Sequence, residues 1–298
     1  MHSVGNRGIE LSWIYGGLKA KYPPEMNTRS IAKFWLTPIG LASLLFFGGC
    51  STVPVTGRHE LNLVSSGDEM QLGLSSFDQL KKDTPISHDA AMNAMIQRVG
   101  KRIAEVAGKD LPGAQWEFVV FDSKEANAFC LPGGKVGVYT GILPITKDDA
   151  GLATVLGHEV GHAVAHHGAS RMSTAMVSQG LGQAAGAAVG SSSYAQYQAT
   201  FMSLYGIGSK VAVELPYSRS QESEADHIGL VYMARGGYEP KEAVAFWERF
   251  SAYNKQQGGS SSFVSKFLST HPIDATRIAD LKIWLPEADA EFARSHPR

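Results

Sequence analysis

A long and nearly continuous apolar run extends from Ala150 to Ser170, and Glu159 is the only formally charged residue in it. A run of this length predicts a helix that is buried on all sides. An ionised carboxylate in apolar surroundings costs roughly several kcal/mol unless a partner compensates its charge. The pattern therefore predicts such a partner for Glu159, and a metal ion would serve.

Amphipathic helices and a small sheet are predicted before this run. A capping box beginning at Ser66 starts a helix to about Leu80, and apolar residues three and four apart predict a second helix from about Asp89 to Val106. Short apolar runs predict the strands Trp116–Phe121, Ala126–Leu131 and Lys135–Tyr139. We therefore predict an α+β fold, mostly helical, with a small β-sheet whose edge strand borders the active site.

Composition and charge indicate a globular chain. The sequence is 44% hydrophobic with a net charge of -1, so it lacks the basic excess of a nucleic-acid-binding protein. We interpret residues 66–298 as a single domain and residues 50–65 as a linker before it. Between Met172 and Lys210 the chain is rich in Gly, Ala, Ser and Gln, which predicts weak helices or a mobile flap near the site.

The first 49 residues have the pattern of an export signal. A basic segment precedes an apolar run from Phe34 to Phe47, and two glycines stand immediately before Cys50. This order resembles a bacterial lipoprotein signal peptide that starts at Met26, with residues 1–25 as an upstream extension. The alternatives are an uncleaved anchor and a cleaved signal without a lipid.

Cleavage of such a signal would leave a lipidated Cys50 at the new N-terminus. Ser51 resembles the residue that follows the cysteine in lipoproteins sorted to the outer membrane. We therefore predict an outer-membrane lipoprotein that faces the periplasm. With Cys50 acylated, Cys130 has no disulfide partner, and we expect it to be a buried thiol.

Two histidines of the buried run have the spacing of metal ligands. His158 and His162 are four residues apart, so one face of a helix presents both imidazoles. Glu159 lies about 100° round the helix, where it can accept a proton from an attacking water. The alternative is a buried helix whose histidines have only hydrogen-bond partners. Gly157 and Gly161 indicate either close approach of another backbone or substrate, or tight core packing.

The residues that follow His162 do not supply a third ligand by a known spacing. A metzincin would need glycine and histidine where Ala165 and Gly168 stand. His166 and His167 are instead predicted to cap or pack the C-terminal end of the helix, where a cation suits the helix dipole.

A catalytic zinc usually takes three protein ligands, and the best source of the third is an acidic segment later in the chain. Ser218 and Gln221 form a capping box that predicts a helix start. Glu222 and Asp226 then share one face of that helix, so Glu222 could bind the ion while Asp226 holds a ligand histidine by its other nitrogen. Spacing alone leaves Glu224 open as an alternative ligand.

Several short motifs together resemble one metallopeptidase family. They are the H-E-x-x-H at 158–162, Leu-Pro-Tyr-Ser-Arg at 215–219, Glu222-x-x-x-Asp226, Asn127-Ala-Phe, Pro132-Gly-Gly and Thr270-His-Pro. The chain resembles the gluzincin family of the CAAX prenyl protease and HtpX over most of 66–285, and the signal adds a likeness to its periplasmic lipoprotein branch, typified by BepA and LoiP. The resemblance implies a zincin-type domain, one zinc ion, and Glu222 rather than Glu224 as the third ligand.

The resemblance also implies a membrane-anchored endopeptidase that cleaves unfolded or misassembled envelope proteins, with the outer-membrane assembly machinery as a candidate partner. An extended substrate would add as a strand along the edge formed by Asn127, Ala128, Phe129 and Cys130, although an ordinary sheet edge is the alternative. The competing functions are a zinc-containing chaperone or assembly factor that rarely cleaves, and a metal-free lipoprotein scaffold. Glu159 argues against purely structural zinc, which needs no base.

His271 and Arg277 are the remaining candidate site residues. His271 stands just before a helix start at Pro272, after a segment, 256–262, composed like a hinge. A neutral imidazole on a mobile loop could occupy the fourth zinc position and keep the enzyme latent. The alternatives are a transition-state stabiliser and an exposed histidine without a role. Arg277 and Tyr217 are further candidate donors to the developing oxyanion.

Overall fold

The structure is a computed structural model that describes residues 50–178, 194–205, 207, 218–256, 267–268, 270–272 and 275–295. The predicted signal peptide, most of the predicted hinge and Tyr217 lie outside these ranges. The strands are β1 (Cys50–Thr52), β2 (His59–Leu61), β3 (Glu117–Phe121), β4 (Ala128–Leu131) and β5 (Lys135–Tyr139). The helices are α1 (Ser66–Asp83), α2 (Ala90–Ala107), α3 (Leu143–Thr146), α4 (Asp149–Val164), α5 (His167–Ser178), α6 (Tyr194–Leu204), α7 (Arg219–Arg235), α8 (Lys241–Gln256) and α9 (Ala275–Ser295).

The helix predicted from the apolar run is α4, and almost all of its residues are buried. The Asp148 side chain caps its first turn by accepting a hydrogen bond from the Gly151 backbone amide. The apolar run does not continue as one helix, because α4 ends at Val164 and the chain turns through His166, whose φ is 51°. A second helix, α5, starts immediately after this turn.

Glycines allow α4 and α7 to touch through their backbones. A Cβ added to Gly157 would lie 2.7 Å from the Gly229 carbonyl oxygen, and one added to Gly161 would lie 2.8 Å from the Ala225 carbonyl oxygen. Of the two interpretations of these glycines, the structure shows close approach of another backbone. This contact brings the first turns of α7 beside the histidines of α4.

The helix α7 begins at the predicted capping box. The Ser218 side chain accepts a hydrogen bond from the Gln221 backbone amide, and the Gln221 side chain accepts one from the Ser218 amide. This start fixes the register of the helix, so that Glu222 and Asp226 lie one turn apart. Both side chains are buried.

A three-stranded sheet of order β3–β5–β4 packs beside α4. β3 runs parallel to β5, and β4 pairs antiparallel with β5, from Ala128 opposite Val138 to Leu131 opposite Lys135. The turn between β4 and β5 uses Gly133 at φ 84° and Gly134 at φ 76°, a region that glycine adopts without strain. The predicted fold class, mostly helical with a small sheet, is confirmed.

The segment before α1 differs from the predicted linker. β1 and β2 form an antiparallel hairpin in which Thr52 lies opposite His59, and Val53 is only 1% exposed in the core. Strands of three residues are too short to give a recognisable pattern. The cap of α1 is also one residue earlier than predicted, since the Ser65 side chain accepts the hydrogen bond from the Asp68 amide.

Part of the predicted flap is described as helix. α5 continues to Ser178 and α6 covers Tyr194–Leu204, whereas residues 179–193, 206 and 208–217 lie outside the described ranges. Among the helices that the structure describes, we find none with the length and apolar character needed to span a membrane.

Candidate metal centre

Four side chains from three parts of the chain meet at one buried point. His158 and His162 come from α4, Glu222 from α7 and His271 from the segment before α9, and their ligand atoms all lie within 4.8 Å of one another. His158 Nε2 is 3.1 Å from His162 Nε2 and 3.2 Å from His271 Nδ1. Glu222 Oε1 is 3.3 Å from His162 Nε2 and 3.0 Å from His271 Nδ1. The structure thus brings together the three predicted ligands and His271, the residue suggested for the fourth position.

Asp226 lies beside the outer nitrogen of His158. Its Oδ1 lies 2.9 Å from His158 Nδ1. Arg277 donates to both oxygens of Asp226, at 2.7 and 2.8 Å, and its Nη1 lies 2.7 Å from Glu222 Oε2. The guanidinium also lies 4.3 Å from the centre of the Trp247 ring, a cation–π distance. Arg277 therefore contacts both carboxylates and fixes their orientation.

Charge keeps Glu222 ionised in this buried place. Burial alone would favour the protonated acid, but the neighbouring His271 and Arg277 hold the pKa of Glu222 well below its usual range. An anionic Glu222 is the form that binds a cation.

The outer nitrogen of His162 has a different support, which the sequence did not reveal. His162 Nδ1 lies 2.8 Å from His167 Nδ1, and His167 Nε2 lies 2.9 Å from Glu224 Oε2. Glu224 also accepts hydrogen bonds from Thr56 at 2.5 Å and Arg58 at 2.7 Å. Glu224 therefore binds His167, Thr56 and Arg58 and contributes no ligand atom to the cluster.

Of the two roles predicted for His166 and His167, capping or packing the C-terminal end of α4, the structure shows packing for His167. The turn after α4 separates the two side chains, so that His166 Nδ1 lies 2.7 Å from Glu69 Oε2 while His167 is buried against His162. On one continuous helix His166, four residues after His162, would lie beside it, whereas the turn after α4 places His167 there instead.

The geometry of the cluster fits a zinc ion. Two ligands about 2.0–2.1 Å from a tetrahedral zinc lie about 3.3 Å apart. The four distances given above lie between 3.0 and 3.3 Å, and His158 Nε2 lies 3.5 Å from Glu222 Oε2. His158 Nδ1 faces Asp226 and His162 Nδ1 faces His167, so the Nε2 atoms of both rings face each other, 3.1 Å apart. Two ligands of one ion have this arrangement.

Glu159 lies next to the cluster but outside it. The side chain is buried, its Oε1 is 3.5 Å from His271 Nε2, and this oxygen makes no hydrogen bond within the described part of the chain. Burial raises the pKa of Glu159. A carboxylate with a raised pKa and a free oxygen suits a general base.

The predicted substrate strand borders the site but is covered. Asn127, Ala128, Phe129 and Cys130 are each at most 1% exposed. Burial, with a contribution from the Glu159 carboxylate, raises the pKa of the Cys130 thiol, which places β4 beside the site and excludes a reactive thiolate. β4 ends the order of the three-stranded sheet, yet its edge is not open as the prediction requires.

The sequence profile of Peptidase family M48 matches residues 90–285. This match contains all four residues of the cluster and Glu159. The chain belongs to peptidase family M48. It is a zinc metalloendopeptidase of the zincin type, as predicted, and the His–His–Glu–His cluster could hold one zinc ion.

Several M48 relatives extend over most of this chain. The Mitochondrial metalloendopeptidase OMA1 of Saccharomyces cerevisiae is 32% identical over 300 residues, covering 93% of this chain and 81% of the relative. The OMA1 of Arabidopsis thaliana is 36% identical over 272 residues, 86% of this chain and 50% of the relative. The Beta-barrel assembly-enhancing protease of Escherichia coli is 27% identical over 246 residues, 82% of this chain and 49% of the relative. The chain thus spans about half the length of the latter two.

The predicted location in a bacterial outer membrane is wrong. M48 relatives from yeasts, a plant, a fish and a mammal are all named as mitochondrial enzymes, at 30 to 36% identity. The prediction depended on the pattern before Cys50, which lies outside the described residues.

Proposed function

We propose that this M48 metalloendopeptidase cleaves unfolded or misassembled membrane-protein chains, as a quality-control enzyme. The observation that carries the catalytic part is Glu159, buried beside a cluster that fits zinc. The name of the E. coli relative, which joins protease to β-barrel assembly, supports the substrate class. We also propose that, within the family, the chain is most similar to the branches of LoiP and HtpX.

The residues of the site have separate roles in peptide hydrolysis. Zinc, when bound, would polarise the substrate carbonyl and lower the pKa of a water. Glu159 accepts the proton of the attacking water and then passes it to the leaving amine. Asp226 and Arg277 keep His158 and Glu222 in place meanwhile. Arg277 contacts both Asp226 and Glu222, so it is a poor candidate for the oxyanion donor.

An extended substrate would pair with β4. The strand ends the sheet order and lies beside Glu159, so a peptide added there would present its backbone to the base. Since Asn127 and Cys130 are buried, this edge has to be uncovered before a substrate can pair with it. Pairing with the edge also needs an extended segment of substrate, which an unfolded chain supplies.

Cleavage of an unfolded protein with and without a chelator tests the function. We expect the purified enzyme to degrade casein, a chelator to stop the reaction, and added zinc to restore it, because the metal supplies the electrophile. Casein fragments are measured by electrophoresis and zinc by elemental analysis. Zinc content near one per chain without chelator-sensitive cleavage would favour the zinc-containing assembly factor.

Attachment through Cys50 remains a prediction. Cys50 is the first residue of β1, so a lipid on it would begin directly at the described fold.

We also propose that His271 keeps the resting enzyme latent. Its Nδ1 lies 3.2 Å from His158 Nε2 and 3.0 Å from Glu222 Oε1, which is where a fourth zinc ligand would stand. A fourth protein ligand closes a site that catalysis needs open. A substrate that displaces His271 would open it.

Replacing His271 by Ala is expected to increase cleavage of casein while zinc stays bound, because His158, His162 and Glu222 remain. The increase would be about tenfold if nine-tenths of the molecules are latched. A large loss of cleavage with zinc retained would instead assign transition-state stabilisation to His271, and an unchanged rate would show that it has neither role.

A further inference from the structure

His167 stands where the chain leaves α4 and begins α5. The left-handed turn at His166 redirects the backbone, and the contact between His166 and Glu69 of α1, at 2.7 Å, fixes that turn. His167 is fully buried, and its ring centre lies 4.9 Å from that of His162. The turn therefore places His167 beside His162 Nδ1, the ring nitrogen that does not face the cluster.

The protons of this arrangement can be assigned from the contacts. His162 Nε2 faces His158 and Glu222, so this nitrogen is the one that would face the metal. The proton of the neutral ring is then on Nδ1, which donates to His167 Nδ1. His167 consequently carries its own proton on Nε2 and donates it to the Glu224 carboxylate, 2.9 Å away.

Glu224 is anchored by the N-terminal hairpin. Thr56 and Arg58, in the turn between β1 and β2, donate to its two oxygens. His167, Thr56 and Arg58 all lie within hydrogen-bond distance of the Glu224 carboxylate, which holds it in one orientation.

The two ligand histidines are thus supported in parallel. An arginine–carboxylate pair, Arg277 with Asp226, supports His158 directly. The equivalent pair, Arg58 with Glu224, supports His162 through one additional imidazole.

We propose that His167 is a positioning residue for the zinc ligand His162, and that Glu224, Thr56 and Arg58 hold it in place. The β1–β2 hairpin is then part of the metal site, although none of its residues reaches the cluster. The inference concerns metal binding and is independent of which polypeptide the enzyme cleaves.

The test is the zinc affinity of His167 variants, measured by competition with a chromophoric chelator. His167→Phe keeps the shape of the ring but cannot accept from His162, so we expect zinc to bind about 10- to 100-fold more weakly, as for other residues behind a ligand. His167→Asn places an amide oxygen near the position of Nδ1 and should recover part of the loss. An affinity of His167→Phe equal to that of the unchanged protein would overturn the proposal, as would Asn performing no better than Phe.

His227→Phe is the matched control. His227 lies on α7, its Nε2 is 2.8 Å from Glu287 Oε2, and its ring stacks on Trp284. The same substitution therefore breaks the same kind of pair without touching the cluster. We expect zinc affinity to be unchanged, and a loss equal to that of His167→Phe would mean that both act through general destabilisation.

The contacts that run from His162 through His167 to Glu224 form a relay, and its order is tested by combining two substitutions. Glu224→Ala alone should weaken zinc binding, but it should add little to His167→Phe, because its effect passes through His167. Additive losses would overturn the relay. If His167→Phe does not fold, Arg58→Ala replaces it, since Arg58 lies at the surface of the pair, with 35% of its side chain exposed. We expect a several-fold loss from that variant, and unchanged affinity would exclude the hairpin from the metal site.

Discussion

Replacing Glu159 by Gln is expected to reduce peptide cleavage by about 100- to 10,000-fold, the contribution of a general base. The amide has nearly the same shape but cannot accept a proton from water. Zinc should remain, because the ligand atoms belong to His158, His162, Glu222 and His271, and not to Glu159. The variant therefore separates loss of the base from loss of the metal.

The measurement is the initial rate on casein, with zinc content and a thermal melt of the same preparation. Glu248→Gln is a suitable control, since that carboxylate is half exposed on the surface and pairs with Lys282. It should leave the rate unchanged. Retained cleavage by Glu159→Gln at full zinc content would show that another group takes the proton, and the mechanism would then be wrong.

The residues at the centre of this site were predictable because their spacing is local. His158 and His162 are one helical turn apart, and the capping box at Ser218 sets the register that puts Glu222 beside Asp226. Local chemistry does not say that α4 and α7 are neighbours. The glycines of α4 suggested a close contact, but the partner helix came from the family resemblance and the structure.

The relay behind His162 could not be predicted, because it joins distant parts of the chain. Arg58 and Glu224 are 166 residues apart, and His167 and Glu224 are 57 apart. Nor does apolar periodicity show the left-handed turn at His166, which decides where His167 points. A short segment such as 53–58, between two strands of three residues, gives no sign in the sequence that it completes a buried site.

Whether the predicted substrate edge is open could not be predicted from the sequence either. The strand β4 itself was predictable, because an apolar run bounded by turn residues is a local signal. Whether an edge is open depends on what packs against it in three dimensions. The burial of Phe129 and its neighbours is that missing information.

Replacing Glu222 by Ala is expected to remove zinc from the purified protein and cleavage with it. Glu222 supplies the anionic ligand of the cluster, 3.3 Å from His162 Nε2 and 3.0 Å from His271 Nδ1. Without it the site keeps only imidazoles, and Arg277 places a positive charge beside them. The loss in affinity should exceed the roughly 10- to 100-fold effect of changing a residue behind a ligand.

Glu224→Ala is the comparison that gives this result its meaning. Glu224 lies on the same helix, two residues after Glu222, but it binds His167, Thr56 and Arg58 and contributes no atom to the cluster. It should therefore weaken zinc binding without abolishing it, and saturating zinc should restore the metal. Glu222→Gln checks that the loss is one of charge, since the amide fills the same space beside Arg277. A protein that keeps zinc without Glu222 but loses it without Glu224 would show that the third ligand is Glu224, and the assignment of α7 to the metal would have to be reversed.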